Sequence, residues 1–298
     1  MKASGKSKDM PKKVDLLIIG LGPAGVSCAI EAKRCGLSIL AVGDEPIGGL
    51  VPAARRIDNL PGLPGISGAE LARRLAEQIQ ALEVPSLPDR VTSLAKNSTN
   101  YSAGTSDGLE LTAKSVCLAC GTRPAEWTNF ALPAGVHRDL RNIAKNHQNL
   151  RGRSAVVVGG GEAALDTALS LQDLGAAVQL WMRNSVPRSG GRLLNEAYEL
   201  ELCFCPERHM VALTGGPGAW KITDQNGEMH QTHELMLCIG REPRDELRAM
   251  LPAECPGLFA AGDLIRGHDR YIASAMGDGQ RAAIAAAAYL ANQDGRKI

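Results

Sequence analysis

The feature that most constrains the fold is a glycine-rich turn wedged between an apolar strand and a helix, and it occurs twice. Val14-Asp-Leu-Leu-Ile-Ile19 runs into Gly20-Leu-Gly22-Pro-Ala-Gly25, then a helix-like stretch to Cys35, then a second β-prone run from Leu37 to Val42. That order describes a βαβ unit with the glycines at the first strand-to-helix turn. Gly20 allows the tight turn, Gly22 lets the backbone approach a pyrophosphate, and Gly25 lets helix and strand pack closely. The positive end of the helix then faces the phosphates. The pattern returns at Ser154–Val158, turns through Gly159-Gly160-Gly161-Glu-Ala-Ala164, continues as a helix to about Leu174, and re-enters a strand at Ala177 to Met182. Two such units in 298 residues predict an α/β chain of two Rossmann-like dinucleotide-binding domains. A lone glycine fingerprint is also common as a plain structural turn; the strand-turn-helix context selects the nucleotide reading.

The residues after each second strand are expected to choose the nucleotide. About 20 residues beyond the first fingerprint stand Asp44 and Glu45, candidates for a ribose hydroxyl. The second unit instead offers Trp181-Met-Arg183-Asn-Ser-Val-Pro-Arg188. Guanidiniums suit a 2′-phosphate through charge-assisted bidentate bonds, so NADPH is favoured there over NADH. The plainer alternative is that Arg183 and Arg188 are solvated loop charges.

Elsewhere, residues 68–82 show helical periodicity, 90–118 read as short strands ending on Ser115 to Ala119, and 200–239 read as strands with turns at Gly215–Gly218 and Asn226-Gly227. An alanine-rich helix is predicted from about Tyr271 to Leu290. Lys plus Arg (33) against Asp plus Glu (32) leaves a net charge of +1, which excludes a basic field for nucleic acid or an anionic membrane. Residues 1–13 carry five lysines without an apolar core and are expected to be a disordered tail, not a signal or anchor. Eight cysteines in such a chain point to reduced thiols and a cytoplasmic protein.

The order of short motifs resembles the thioredoxin reductase family of flavoproteins over nearly the whole chain. These are Gly20–Gly25, Gly48-Gly49-Leu50, Asp58-Asn-Leu-Pro-Gly62 with Ile66-Ser-Gly68, Cys120-Gly-Thr-Arg-Pro124, the second glycine loop, Cys238-Ile-Gly-Arg-Glu-Pro243, Leu258–Asp263 and Gly277-Asp-Gly-Gln-Arg-Ala-Ala283. The resemblance implies an FAD domain over 14–120 and 244–298 and an inserted NAD(P)H domain over 121–243, joined by crossings near Gly121–Pro124 and Gly240–Arg244. It implies that Gly20, Gly22, Pro23, Ala24 and Gly25 cradle the FAD pyrophosphate, that Gly49 and Asn59 border the isoalloxazine, and that Asp263 bonds the ribityl chain. Tyr271, Ile272 and Ala273, opening the last helix, fall where backbone N–H groups meet the flavin pyrimidine edge. Leu50 replaces the glutamine usual after the paired glycines. Val91, Gly121, Thr122 and Gly262 join the FAD positions by the same resemblance, and Glu162, Ala163 and Gly240 join Gly159 and Gly161 in the nicotinamide domain.

One family feature is missing. A thioredoxin reductase carries a CxxC in the nicotinamide domain, yet residues 121–202 contain no cysteine, and neither does the 43–56 loop. Cys117-Leu-Ala-Cys120 spells CxxC on a predicted strand, where side chains three apart point to opposite faces; buried structural thiols are the expected reading. Cys203-Phe-Cys205 could place both thiols on one strand face, and His209, His230 and His233 lie nearby, but the spacing does not define a metal site and none is expected. The leading expectation is an enzyme in which NAD(P)H reduces FAD and the electrons pass to an external acceptor, an iron–sulfur or flavodoxin-like protein, for instance in sulfur or lipoyl metabolism. Cofactor positioning suffices for that step, so no catalytic side chain is expected. The alternatives are a disulfide reductase acting directly from flavin and a non-catalytic NADPH/FAD redox sensor. The resemblance further implies a homodimer.

Overall fold

The computed structural model describes residues 12–138, 150–188, 191–293 and 295. Most of the expected tail, residues 1–11, lies outside the described residues, and its last member, Lys13, belongs instead to the first strand, where it registers with Thr112. The chain divides into two compact units at Pro52/Ala53, Arg56/Ile57, Thr122/Arg123 and Glu242/Pro243.

The first unit opens with β1 (Lys13–Ile19), α1 (Pro23–Arg34), β2 (Ile39–Val42) and α2 (Gly68–Ala81). β1 and β2 run parallel and almost wholly buried, which explains their unbroken apolar sequence: a parallel strand is covered on both faces. Ser67 starts α2 by accepting the backbone N–H of Glu70 (3.2 Å) on its hydroxyl. β3 (Ser86–Leu87) extends the sheet beyond β2, and β4 (Val91–Lys96), β5 (Tyr101–Thr105) and β6 (Glu110–Leu118) form an antiparallel meander on the other side. The sheet order is β3-β2-β1-β6-β5-β4.

β6 begins five residues before the strand expected at Ser115, and its two halves explain why the earlier part escaped the apolar-run criterion. Residues 110–113 pair antiparallel with β5 and alternate exposed with buried, whereas 115–118 lie beside β1 fully buried. One strand therefore carries two periodicities.

β7 (Thr122–Pro124) leads into the second unit. A parallel sheet of order β10-β9-β8-β14 is built from β8 (Ser154–Val158), β9 (Ala177–Trp181), β10 (Cys203–Cys205) and β14 (Glu234–Leu237), with α3 (Glu162–Asp173) and α4 (Arg192–Glu199) among them. Ala155, Val157, Val178 and Leu180 pack with Leu165, Ala168 and Leu169 of α3, the i, i+3, i+4 face of that helix. The opposite sheet face, Val156, Val158 and Trp181, packs with Trp220 and Ile222 of an antiparallel sheet made by β11 (Met210–Gly216), β12 (Ala219–Asp224) and β13 (Met229–Thr232). β15 (Arg241–Pro243) pairs with β7, so the two crossing segments form one ribbon.

The chain returns through a short α5 (Glu246–Ala249) and β16 (Leu258–Ala260), which pairs parallel with the second half of β6. It ends in α6 (Ile272–Gln293), whose Ala275, Gly279, Ala282, Ala283 and Ala286 are buried. The small residues are needed for a close crossing with α1: a Cβ on Gly279 would sit 2.0 Å from the Ala24 carbonyl oxygen.

Candidate functional site

In the first unit, three glycines of one loop do three different jobs. Gly20 takes φ +101°, and a Cβ there would lie 2.3 Å from the Ala119 oxygen; a Cβ on Gly25 would lie 1.9 Å from the Gly20 oxygen. Both are closed to any side chain. Gly22 is the N-cap of α1 in extended conformation, and a Cβ there would meet nothing within 4 Å. The loop is therefore packed tightly behind and open in front, where the first-turn N–H groups of α1 emerge. Pro23 occupies the first turn, with no acidic residue beside it, so the positive helix end is not neutralised locally. That is the shape and charge a pyrophosphate requires.

Other expected residues converge on this loop. Gly48 donates its N–H to the Leu21 oxygen (2.8 Å), and a Cβ on Gly49 (φ +59°) would lie 3.1 Å from Gly22 Cα. Gly262 (φ +74°) sits against the Ala24 methyl, 2.8 Å from a Cβ built on it, bringing the half-buried Asp263 to the α1 end of the sheet. Leu50 is half-buried beside Gly49, and Asn59 is exposed on the turn before buried Leu60. Val91 and Thr122 are buried, so what they offer a ligand is backbone. The Gly121 oxygen accepts from the Arg244 N–H at 3.0 Å. Tyr271 is exposed immediately before α6, with Ile272 and Ala273 forming its first turn.

The two acidic candidates are already engaged. Asp44 pairs with Arg90 (2.6 Å) and Glu45 with Arg244 (3.1 Å). Any ribose hydroxyl would share those carboxylates with a guanidinium.

An interaction with no sequence signal holds the Gly262 loop. Asp278 on α6 is buried; its Oδ2 accepts the Gly262 N–H (3.3 Å) and Arg266 Nε (2.9 Å), and its Oδ1 accepts Arg266 Nη2 (2.7 Å), with Arg281 also paired to it. Arg266 above all holds the Asp278 carboxyl below the usual range. The Gly277-Asp278-Gly279 motif pointed to the segment, but not to a partner 12 positions earlier.

The second loop repeats the steric design but not the charge, since Glu162 stands in the first turn of α3. A Cβ on Gly159 would lie 2.3 Å from the Cys238 oxygen and 3.0 Å from the Ala164 methyl, while Gly161, the N-cap of α3, has nothing within 4 Å. Ala164 is fully buried, so the third position of the fingerprint tolerates one methyl here. Glu162 and Ala163 are exposed in the first turn of α3. Arg188 donates its backbone N–H to the Gly160 oxygen (2.6 Å), which ties the arginine segment to the glycine loop. Arg183 and Arg188 are both exposed, and neither guanidinium has an ion-pair partner among the described residues. Gly240 (φ +118°) accepts the Ala125 N–H at 3.0 Å on the crossing ribbon.

Cys117 is buried on β6 against the buried Cys28 thiol, a contact that raises its pKa, and burial pushes Cys120 up to about 12. Cys120 Sγ points back to the Ile19 oxygen at 3.7 Å. Neither has the lowered pKa of a redox nucleophile. The histidines are not gathered: His233 bonds Ser154 through Nδ1, and His209 makes a backbone bond to Gln225. Asp224, Glu228 and His230 do lie close together, but the Arg208 guanidinium already stands 3.7 Å from Asp224 and 4.0 Å from Glu228.

Two glycine loops of this construction in one chain have a counterpart among known proteins. Residues 14–288 match the family described as pyridine nucleotide-disulphide oxidoreductase. The chain belongs to this family of FAD- and NAD(P)H-using oxidoreductases. It is 27% identical over 95% of its length to the bifunctional thioredoxin reductase/thioredoxin of Mycobacterium leprae, covering 67% of that protein. It is also 27% identical over 88% of its length to the ferredoxin–NADP reductase of Ignicoccus hospitalis, covering 93% of it. The fold matches the crystal structure of thioredoxin reductase from Lactococcus lactis with a TM-score of 0.83 at 24% identity, over 94% of this chain and 99% of that one. The chain is thioredoxin-reductase-like, as its motif order implies. No helix among the described residues is long and apolar enough to cross a membrane.

Proposed function

We propose that the protein is an NADPH-dependent FAD oxidoreductase that delivers electrons to an external redox protein without a disulfide relay of its own. The observation that carries the reading is the pair of cradles at Gly22 and Gly161, each closed behind and open in front, the second followed by the exposed Arg183 and Arg188. FAD, when bound, supplies the hydride-accepting and electron-releasing chemistry. In this reading the α1 N–H groups and Gly22 hold its pyrophosphate, Asp263 bonds its ribityl chain, and the first turn of α6 at Ile272 and Ala273 turns backbone N–H groups towards negative charge. The α3 N–H groups at Gly161–Ala163 hold the NADPH pyrophosphate, and Arg183 and Arg188 take its 2′-phosphate by charge-assisted bonds.

The absence of cysteine from residues 121–202 and the protonated state imposed on Cys117 and Cys120 favour an acceptor outside the chain. The relative named ferredoxin–NADP reductase supports a protein of the iron–sulfur class as that acceptor. A cytoplasmic homodimer completes the proposal, on the family resemblance. Anaerobic titration with NADPH tests it: the flavin absorbance is expected to bleach and dye or ferricyanide turnover to be fast, with ferredoxin or flavodoxin reduced and small disulfides not. Unbleached flavin, or turnover on disulfides alone, would overturn it.

A further inference from the structure

The strand β10 carries a pair of thiols that the reading above leaves unused. β10 is the outermost strand of its sheet and is fixed in register on β9, with Cys203 opposite Gln179 and Cys205 opposite Trp181. Side chains two apart on a strand share a face. The structure shows this directly: Phe204 packs with the helix-side cluster, while Cys205 packs on the Trp181 side. Cys203 is exposed and Cys205 half-buried; burial above all, and then the neighbouring Cys203, push the Cys205 thiol up to about 11. Beside Cys203 opens a cleft of about 600 Å³, which Met229 and His230 of β13 also line. Cys203 thus stands at the mouth of that cleft, with Cys205 two positions on along the same strand face, and thiolate sulfur is a soft ligand.

We infer that Cys203 and Cys205 form a dithiol site for a soft thiophilic ion, arsenic(III) or copper(I), at the edge of the second unit. The rigid strand holds both sulfurs on one face, so little side-chain freedom is lost when two bonds form to one atom. With an organic arsenoxide the step balances without any redox change: two As–S bonds form, two S–H bonds break, and the arsenoxide oxygen leaves as water with both protons. Cys28 and Cys117 are fully buried and have no such access.

The test uses the FAD-loaded full chain and phenylarsine oxide in excess 2-mercaptoethanol, which reverses single-thiol adducts. Intact mass is expected to show one phenylarsenic group per chain in the wild type, released by 2,3-dimercaptopropanol, and none in Cys203→Ser or Cys205→Ser. Cys117→Ser is expected to keep it. In the wild type, alkylation and peptide mapping are expected to show Cys203 and Cys205 protected together, which needs no variant. No adduct in the wild type, or one that survives Cys203→Ser, would overturn the site. Anaerobic competition for copper(I) against bathocuproine disulfonate separates the occupants: withdrawal of one equivalent supports copper(I), and an arsenical adduct without withdrawal supports arsenic(III). None of these readouts depends on NADPH turnover, so the site stands or falls apart from the electron path.

Discussion

Asp278 receives the guanidinium of Arg266 on both oxygens, at 2.9 and 2.7 Å, and from the same carboxylate accepts the N–H of Gly262. A buried charge thereby fixes the loop that carries Asp263. Breaking such a pair from one side costs about 3–5 kcal/mol, because the other charge is left without its partner. Asp278→Ala is expected to purify with much less FAD than the wild type, its affinity down at least tenfold, while Arg281→Ala, removing the exposed partner, changes it little. The ratio of flavin to protein absorbance and the affinity after stripping check this. Wild-type flavin content in Asp278→Ala would show that the loop does not depend on the pair.

The glycine loops separate folding from binding. Gly25→Ala drives a methyl to within 1.9 Å of a carbonyl oxygen and is expected to abolish soluble expression. Gly22→Ala meets nothing in the protein, so it is expected to keep the melting temperature of the apoprotein within a few degrees and lose FAD affinity. Gly161→Ala is expected to keep FAD and raise the KM for NADPH instead. If Gly22→Ala binds FAD normally, the open space in front of that loop is not where the pyrophosphate sits.

How far these features could be read from the sequence varies with the range of the interaction. The glycine loops were legible because strand, turn and helix follow within a dozen residues, and local steric rules fix them. The partner of α6 was not, because Gly279 meets Ala24 across 255 positions. Asp44 and Glu45 looked like free ribose ligands, since nothing local announces Arg90 or Arg244. That residues 110–118 form one strand is hidden in the sequence, because the antiparallel alternation of the early half differs from the apolar run after it. His230 was grouped with His209 and His233 by proximity in sequence, whereas the turn between β12 and β13 brings it to Asp224 and Glu228.

Arg183 and Arg188 lie on the loop bonded to Gly160. Charge-assisted bonds to a phosphate are worth about 1.5–3 kcal/mol each. Arg183→Ala is expected to raise the KM for NADPH roughly tenfold to a hundredfold and leave the KM for NADH nearly unchanged. Steady-state kinetics with both nucleotides decide it; equal losses with the two would show that the arginines do not read the 2′-phosphate.

Cys117 is held protonated by the Cys28 thiol and by burial, and Cys120 by burial, so the double change to Ser is expected to leave NADPH-to-dye turnover within twofold of the wild type. A variant that loses disulfide reduction while keeping dye turnover would instead make this pair a redox centre.

Asp166 on α3 is the group whose titration is set to be visible in stability. Burial pushes its carboxyl up to about 6, against a lowering hydrogen bond from the Arg55 N–H. Between the unfolded value of 3.8 and about 6 the folded chain holds the proton more tightly than the unfolded one. Stability from this group is therefore fully present at low pH and is lost as pH rises through that window. Asp166→Asn removes the ionisation and keeps an oxygen for the Arg55 N–H. The variant is expected to match the wild type near pH 4 and to exceed it above pH 6 by about 1–3 kcal/mol, the upper figure being the full shift converted at 1.36 kcal/mol per unit. Thermal unfolding of both proteins from pH 4 to pH 8 measures the difference, and parallel curves across that range would show that Asp166 ionises as freely in the folded chain as in water.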